Sequence, residues 1–310
     1  MSDLTLPTVA DVRAAADRIA PHIRRTPVLR VDLAGHSIWL KLEQLQVTGS
    51  FKARGATNAV LSLPNVPPAV VAASGGNHGL GVAHAAAAVG TAAIVVVPES
   101  VPEFKARRLA AAGASVVRHG HEYAEAEAHA RHIADALAAP FIHAYADAAV
   151  IAGQGTAALE ILEDTQGHPA EPDVILVAVG GGGLIAGTAT ACAASATRVV
   201  GVEPEGIPTM HSALAAGHPV EVTVDSLTAS ALGARQTGPL NLAIVQAGVE
   251  AVCLVTDEDI LAARDLLWDE VRVAVEPAGA AGLAAILTGA IEAQNPCVLL
   301  CGANSAWTPS

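Results

Sequence analysis

The sequence predicts an α/β fold built on parallel sheet, and three observations carry that expectation. Short β-branched runs recur along the 310 residues, alanine-rich stretches of helical composition separate them, and glycine clusters directly follow two of the runs. The runs are AVVAA (69–73), AAIVVV (92–97), SVVR (115–118), VILVAV (174–179), RVVGVE (198–203), AVCLV (251–255) and CVLLC (297–301). Apolar runs of this length, bounded by turn residues, read as strands buried on both faces, with the intervening helices as crossovers. PNVPP (64–68) and QGHPAEPD (166–173) read as loops. The second loop, with the ADAAVIAGQGT stretch before it, is expected to mark a passage between two domains.

Composition removes several functional classes. With 52% hydrophobic residues the chain can bury a large core. Seventeen Lys and Arg against 30 Asp and Glu give a formal net charge of −13, which argues against a nucleic-acid partner, since phosphate binding rests on clustered cations. The N-terminal MSDLTLPTVADVRAAADRIA is acidic and helically periodic, unlike a signal peptide, and no apolar stretch reaches membrane-spanning length. Cys192, Cys253, Cys297 and Cys301 lack CxxC spacing and sit in or beside apolar segments, as expected of reduced thiols in the cytoplasm.

Three elements carry chemistry. The run VILVAV leads straight into GGGGLIAG (180–187), and four successive glycines before a helix expose backbone N–H groups to an anion. Gly181, Gly183 and Ala186 also satisfy a relaxed dinucleotide fingerprint, with Glu203 at the end of the next strand as a ribose acceptor, so a nucleotide reading stands beside the phosphate cup. A second anion-binding turn, SGGNHG (74–79), adds a hydroxyl, an amide and an imidazole to a helix start. The third element is Lys52, set in TGSFKARG (48–55). A desolvated lysine amine loses its proton and becomes nucleophilic toward aldehydes, which is Schiff-base chemistry. Two phosphate-type turns and one such lysine fit pyridoxal phosphate, one turn for its phosphate and the other for a substrate carboxylate, whereas a nucleotide accounts for only one of the three. His119, His121, His129 and His132, with Glu122, Glu125 and Glu127, read as a solvated helix face before they read as a zinc site.

GSFKARGA, SGGNHG, VGGGGL, VEPAGAAG and LLCGANS occur in an order and spacing that resembles the serine/threonine dehydratase family of fold-type II pyridoxal-phosphate enzymes, which includes serine racemases. The resemblance implies two open parallel-sheet α/β domains, similar to the tryptophan synthase β chain, with the cofactor in the cleft between them. Residues 1–60 and 148–310 would form the large domain, and 61–147 a small inserted domain that closes over substrate. Lys52 would tether the cofactor and later move the α-proton. Gly180, Gly181, Gly182 and Gly183, with Leu184, would hold its phosphate, Phe51 would flank its ring, and Asn77 would bond its 3′-oxygen. Ser74, Gly75, Asn77 and His78 would clamp the substrate carboxylate.

The resemblance also implies that the ring nitrogen faces Cys301. A neutral thiol cannot stabilise a pyridinium, so the ring is a weaker electron sink and β-elimination is favoured. The implied activity is dehydration and deamination of a 3-hydroxy amino acid, L-threonine to 2-oxobutyrate or L-serine to pyruvate, in a homodimer. Three departures bear on that expectation. Gly75 stands where racemase members carry a serine, so it has no proton to return to the second face. Glu203 matches the glutamate of members with an activating divalent cation, but Thr209 stands at the later acidic place and Glu205 is off register. Ser230 stands where many relatives carry an aspartate, which leaves open a 3-hydroxyaspartate or phenylserine type of substrate. A non-catalytic pyridoxal-phosphate or nucleotide-binding protein is the alternative from another class.

Overall fold

The structure, a computed structural model, describes residues 5–305, so the first four residues of the N-terminal stretch lie outside it. Among the described residues the strands are β1 (Val28–Leu33), β2 (His36–Leu42), β3 (Ala69–Ala73), β4 (Ala92–Val97), β5 (Ala114–Arg118), β6 (Val174–Ala178), β7 (Arg198–Pro204), β8 (Ala251–Val255) and β9 (Pro296–Leu300). The helices are α1 (Val9–Ile19), α2 (Lys52–Leu61), α3 (Asn77–Val89), α4 (Glu103–Ala111), α5 (Tyr123–Ala136), α6 (Ala148–Thr165), α7 (Gly183–Cys192), α8 (Thr209–Ala216), α9 (Ala229–Leu232), α10 (Pro239–Gly248), α11 (Asp257–Val271) and α12 (Pro277–Leu287).

Two sheets form. One has six strands in the order β1-β2-β9-β6-β7-β8, and the other has three in the order β3-β4-β5. The seven apolar runs appear as β3 to β9, and every pairing among them is parallel. The sequence reading missed the β1–β2 hairpin, which adds an antiparallel edge to an otherwise parallel sheet. Its first strand carries Arg30 and Asp32 and stays partly exposed, and its turn uses Ala34 and Gly35, at φ 48° and 81°. Positive φ at both central residues suits the twist of a two-residue hairpin, but Ala-Gly is a weak signal beside Asn-Gly.

The stretch expected to mark a passage between domains folds as the front of α6, an 18-residue helix whose N-cap Asp147 accepts from the Val150 N–H at 3.0 Å. Its glycines are there for close packing. A Cβ on Gly153 would lie 2.7 Å from the Gly55 Cα, and one on Gly155 would lie 2.6 Å from the Gly187 carbonyl oxygen. Helix α6 thus lies with its backbone almost touching both α2 and α7. Beside this contact is a buried set of charges. Arg54, fully buried on α2, donates to Glu43 at 2.7 Å and to Glu160 of α6 at 2.7 Å, and Lys41 of β2 donates to Glu160 at 2.5 Å.

Replacing Gly155 by valine forces α6 away from α7, and overpacking at such a site is expected to destabilise by about 3 kcal/mol. Thermal denaturation checks this; an unchanged midpoint contradicts the close-approach reading.

Candidate active site

Lys52 opens α2, and the segment before it is fastened to the end of β9. The Phe51 N–H donates to the Cys301 carbonyl at 3.0 Å and the Ala303 N–H to the Gly49 carbonyl at 3.0 Å. Gly49 has φ +76°, and a Cβ there would meet the Asn304 side chain at 2.7 Å, so glycine is required. The small residues of TGSFKARG therefore let one strap lie flat on another. Lys52 Nζ donates to the Ala144 carbonyl at 2.8 Å and lies 5.1 Å from the centre of the Phe51 ring. It has no carboxylate partner among the described residues. Burial lowers its pKa to about 8, which makes the neutral amine accessible near neutrality. Cys301 is buried, its thiol reaching toward the Ala278 carbonyl at 3.6 Å, and burial pushes its pKa well up, so the thiol stays neutral.

Residues 142–146 join Lys52 to the glycine cup. Gly182 has φ +90° and caps α7, whose helix begins at Gly183. A Cβ on Gly181 would lie 2.4 Å from the Tyr145 ring, and one on Gly183 would lie 2.9 Å from the Tyr145 backbone. Gly180 is closed in the same way by the backbone of Leu232, at 3.0 Å. The Asn241 amide donates to the carbonyls of Tyr145 and Gly181, both at 3.1 Å, and the Thr237 hydroxyl donates to Gly181 at 3.2 Å. Leu184 is buried in the first turn of α7. Burial raises the Tyr145 phenol to about 12, so it is a neutral donor, bonded to the Gln236 carbonyl at 3.2 Å.

The SGGNHG turn lies between β3 and α3. Since α3 begins at Asn77, the N–H groups of its first turn have no intrahelical acceptor. The Ser74 hydroxyl accepts from the Gly76 N–H at 3.2 Å. A Cβ on Gly75 would meet Val101 at 2.4 Å, so the space a larger side chain would need is already filled. The His78 ring does not face outward with this turn. It is buried, with Nε2 on the Ile142 carbonyl at 2.9 Å, and burial followed by the nearby Lys52 lowers its pKa to about 3, so it is neutral. Only the His78 backbone can serve an anion here. The Asn77 amide donates to the buried Glu276 at 2.7 Å and accepts from Asn304 at 2.7 Å. A crevice beside the turn is lined by Gly75, Gly76, Leu80, Lys105, Arg108, Leu109 and Asn304.

Glu203 stands apart. It is fully buried, and its two oxygens accept from the Met210 N–H at 2.8 Å and the His211 N–H at 2.9 Å, closing the start of α8. Burial pushes its pKa up to about 8 against those two donors. Thr209 is bonded to the Ala234 carbonyl at 2.7 Å, and no group of three or more His, Cys, Asp or Glu gathers among the described residues. This donor set does not fit a divalent cation. Ser230 places its backbone carbonyl 3.7 Å from where a Cβ on Gly76 would stand.

The sequence reading gave no role to Ala144, Tyr145, Thr237, Asn241, Glu276 or Asn304. Aromatic residues make up only 3% of the chain, so a tyrosine between two predicted elements was the available signal for Tyr145. Glu276 and Asn304 lay inside quoted motifs without an assigned contact. An amine that sheds its proton near neutrality, a glycine cradle that any Cβ would fill, and a buried neutral thiol suit one cofactor class: an aldehyde carrying a phosphate. The residues present fit pyridoxal phosphate.

The fold and this site therefore define a pyridoxal-phosphate enzyme. The pyridoxal-phosphate dependent enzyme family matches residues 19–302, and the chain belongs to it. The chain is 35% identical to the L-threonine ammonia-lyase of Thermotoga maritima over 306 residues, covering 96% of this chain and 75% of that protein. It is 35% identical over 311 residues to the catabolic L-threonine dehydratase of Staphylococcus aureus, covering 96% and 89%. Among solved structures, a threonine deaminase from T.th. superposes with a TM-score of 0.92 at 40% identity, covering 98% of this chain and 100% of that one. The serine racemase of Dictyostelium discoideum gives 0.89 at 32% identity, covering 97% and 99%.

Since the neutral amine is the reactive form, capture of pyridoxal phosphate by the apoprotein should accelerate with rising pH and level off above about 8, following the lowered pKa of Lys52. Stopped-flow absorbance measures this; a rate still climbing steeply to pH ~10 shows an ordinary lysine.

Proposed function

We propose that the protein is a pyridoxal-phosphate-dependent ammonia-lyase that removes water and then ammonia from a 3-hydroxy amino acid, with L-threonine, giving 2-oxobutyrate, ahead of L-serine, giving pyruvate. The observation that carries the reading is the pairing of Lys52, without a carboxylate partner and with its pKa lowered to about 8, with the buried neutral thiol of Cys301. The threonine ammonia-lyases and threonine deaminase among its relatives support the substrate.

When bound, pyridoxal phosphate supplies the electron sink that lets an α-proton and a β-hydroxyl depart. The chain's own residues do the rest. Gly180, Gly181, Gly182, Gly183 and Leu184 offer the backbone N–H groups and helix end for the phosphate. Phe51 and Asn77 would hold the cofactor ring and its 3′-oxygen, and Cys301 would meet the ring nitrogen as a neutral thiol. Ser74, Gly75, Asn77 and the His78 backbone receive the substrate carboxylate. Lys52 Nζ takes the α-proton, which its lowered pKa permits near neutrality. The released enamine takes up water and loses ammonia to give the keto acid.

Further parts of the reading rest on the resemblance and the contacts together. Residues 61–147 form the small domain that closes over substrate against 1–60 and 148–310. Gly75, with no hydroxyl and with Val101 in the space, favours elimination over racemisation. Glu203 acts as a helix anchor, so the lyase works without a divalent cation. The protein is a cytoplasmic homodimer, and no described helix is long and apolar enough to cross a membrane.

Purified protein is expected to be yellow, to bleach with borohydride, and to be colourless as Lys52→Ala. That variant should release keto acid from L-threonine at least about a thousandfold more slowly. Trying L-threonine, L-serine and 3-hydroxyaspartate in turn ranks the substrates, and activity retained by Lys52→Ala would sink the assignment. Dialysis against a chelator should leave keto-acid release unchanged; a loss reversed by added magnesium or calcium restores the cation to Glu203.

A further inference from the structure

Four polar side chains from separate parts of the fold form one directed line. The Arg108 guanidinium of α4 donates to Asn304 Oδ1 at 2.5 Å, Asn304 Nδ2 donates to Asn77 Oδ1 at 2.7 Å, and Asn77 Nδ2 donates to Glu276 Oε1 at 2.7 Å. The second hydrogen of Asn304 Nδ2 goes to the Thr48 carbonyl at 2.7 Å, in the strap that carries Lys52. Every donor therefore points the same way, from Arg108 to Glu276.

We propose that Arg108 is a positioning residue for the reaction: by donating to Asn304 it holds, together with the accepting Thr48 carbonyl and Glu276, two successive amides so that Asn77 turns its N–H side to the cofactor. The proposal rests on the placement of Asn77 at the cofactor given above. An amide side chain can turn over and exchange its donor and acceptor ends at little cost, unless its neighbours accept only one arrangement. Arg108 can only donate, so it holds the oxygen of Asn304 toward itself and leaves the nitrogen facing Asn77. Asn77 must then present its oxygen to Asn304 and its nitrogen to Glu276. One of the two hydrogens on Asn77 Nδ2 goes to Glu276, and the other is left for the site. At the far end the carboxylate only accepts, which closes the line in the same sense. Burial raises the Glu276 pKa, and the Asn77 amide, the Asn304 backbone N–H and the nearby Lys105 and Arg108 oppose that shift.

Arg108 is exposed on α4, whereas Asn77, Asn304 and Glu276 are partly or fully buried. Removing its guanidinium therefore takes away a directing donor without opening the core. Among the described residues Arg108 is the side chain that donates to Asn304 Oδ1. The loss would leave Asn304 Oδ1 without its donor and loosen both amides, which the Thr48 carbonyl and Glu276 then hold alone.

The test uses holoenzyme with Arg108→Ala, Arg108→Lys and Asn304→Asp, and reads the absorption band of the lysine-bound cofactor, the thermal midpoint, and kcat and KM separately. For Arg108→Ala the band should shift and kcat should fall roughly tenfold, as expected for a lost charge-assisted hydrogen bond, with the KM for L-threonine and the midpoint unchanged. Arg108→Lys, which keeps a donor-only group, should recover the band and most of kcat. Asn304→Asp, which cannot donate to Asn77, should reproduce the band shift. An unaltered band and kcat in Arg108→Ala overturns the proposal, as does a change confined to KM, which would make Arg108 a substrate contact. A loss that tracks a lowered midpoint and is not recovered by lysine also overturns it. If the wild-type protein releases no keto acid from any 3-hydroxy amino acid, the proposed function fails, and the band shift still decides the role of Arg108.

Discussion

Arg54 and its carboxylates set the frame on which the site depends. Burying two cations and two carboxylates is expensive, and their mutual attraction offsets the loss of water only when every partner is in place. Here the partners come from β2, the turn after it, α2 and α6, so the charges can pair only when those four segments are assembled together. The arrangement also fixes the rotation of α2. Residues two apart on a helix point about 200° from each other. With Arg54 turned into the buried charges, Lys52 is sent to the other side of the same helix, where it reaches the Ala144 carbonyl.

Close backbone packing carries this constraint across to the glycine cup. Helix α6 touches α2 through Gly153 and Gly55, and α7 through Gly155 and Gly187. Contacts made by backbone atoms have no rotamers with which to adjust, so the helix bearing Lys52 and the helix bearing the cup are held at one separation. Tyr145 then bridges the remaining gap from just before α6, its ring over Gly181 and its neighbour's carbonyl on Lys52. The lysine, the cup and the buried charges thus form a single mechanical unit.

What can be read in the sequence follows from the range over which each feature is determined. The strands of the parallel sheets are locally apolar runs, and their composition alone identifies them. The β1–β2 hairpin escapes because Arg30 and Asp32 break the apolar run and its Ala-Gly turn lacks the usual residues. The helix at the front of α6 is not legible, because its glycines weaken the helical pattern and their reason, the close approach of α2 and α7, is set by the fold. Lys52 and the two glycine turns are legible because small residues around a functional group leave a compact pattern. The contacts of Asn304 and Glu276 are not, since they join residues some 200 positions apart. His78 stands in the turn by its place in the chain, but only the fold reveals that its ring points inward.

The position of β9 has a consequence for how the protein comes into being. This strand lies in the interior of the large sheet, between β2 and β6, yet it is made after both. Until residues 296–300 leave the ribosome, no sheet ladder joins the hairpin to the β6–β8 half. At the roughly 5–20 residues per second of protein synthesis, β2 must wait on the order of ten seconds or more for its neighbour. During that interval two apolar strand edges are unpaired, which exposes the nascent chain to misassembly. A ribosome that stops short of β9 therefore releases a chain with Lys52 and the glycines of its cup but without the strand end that fastens the strap carrying Lys52.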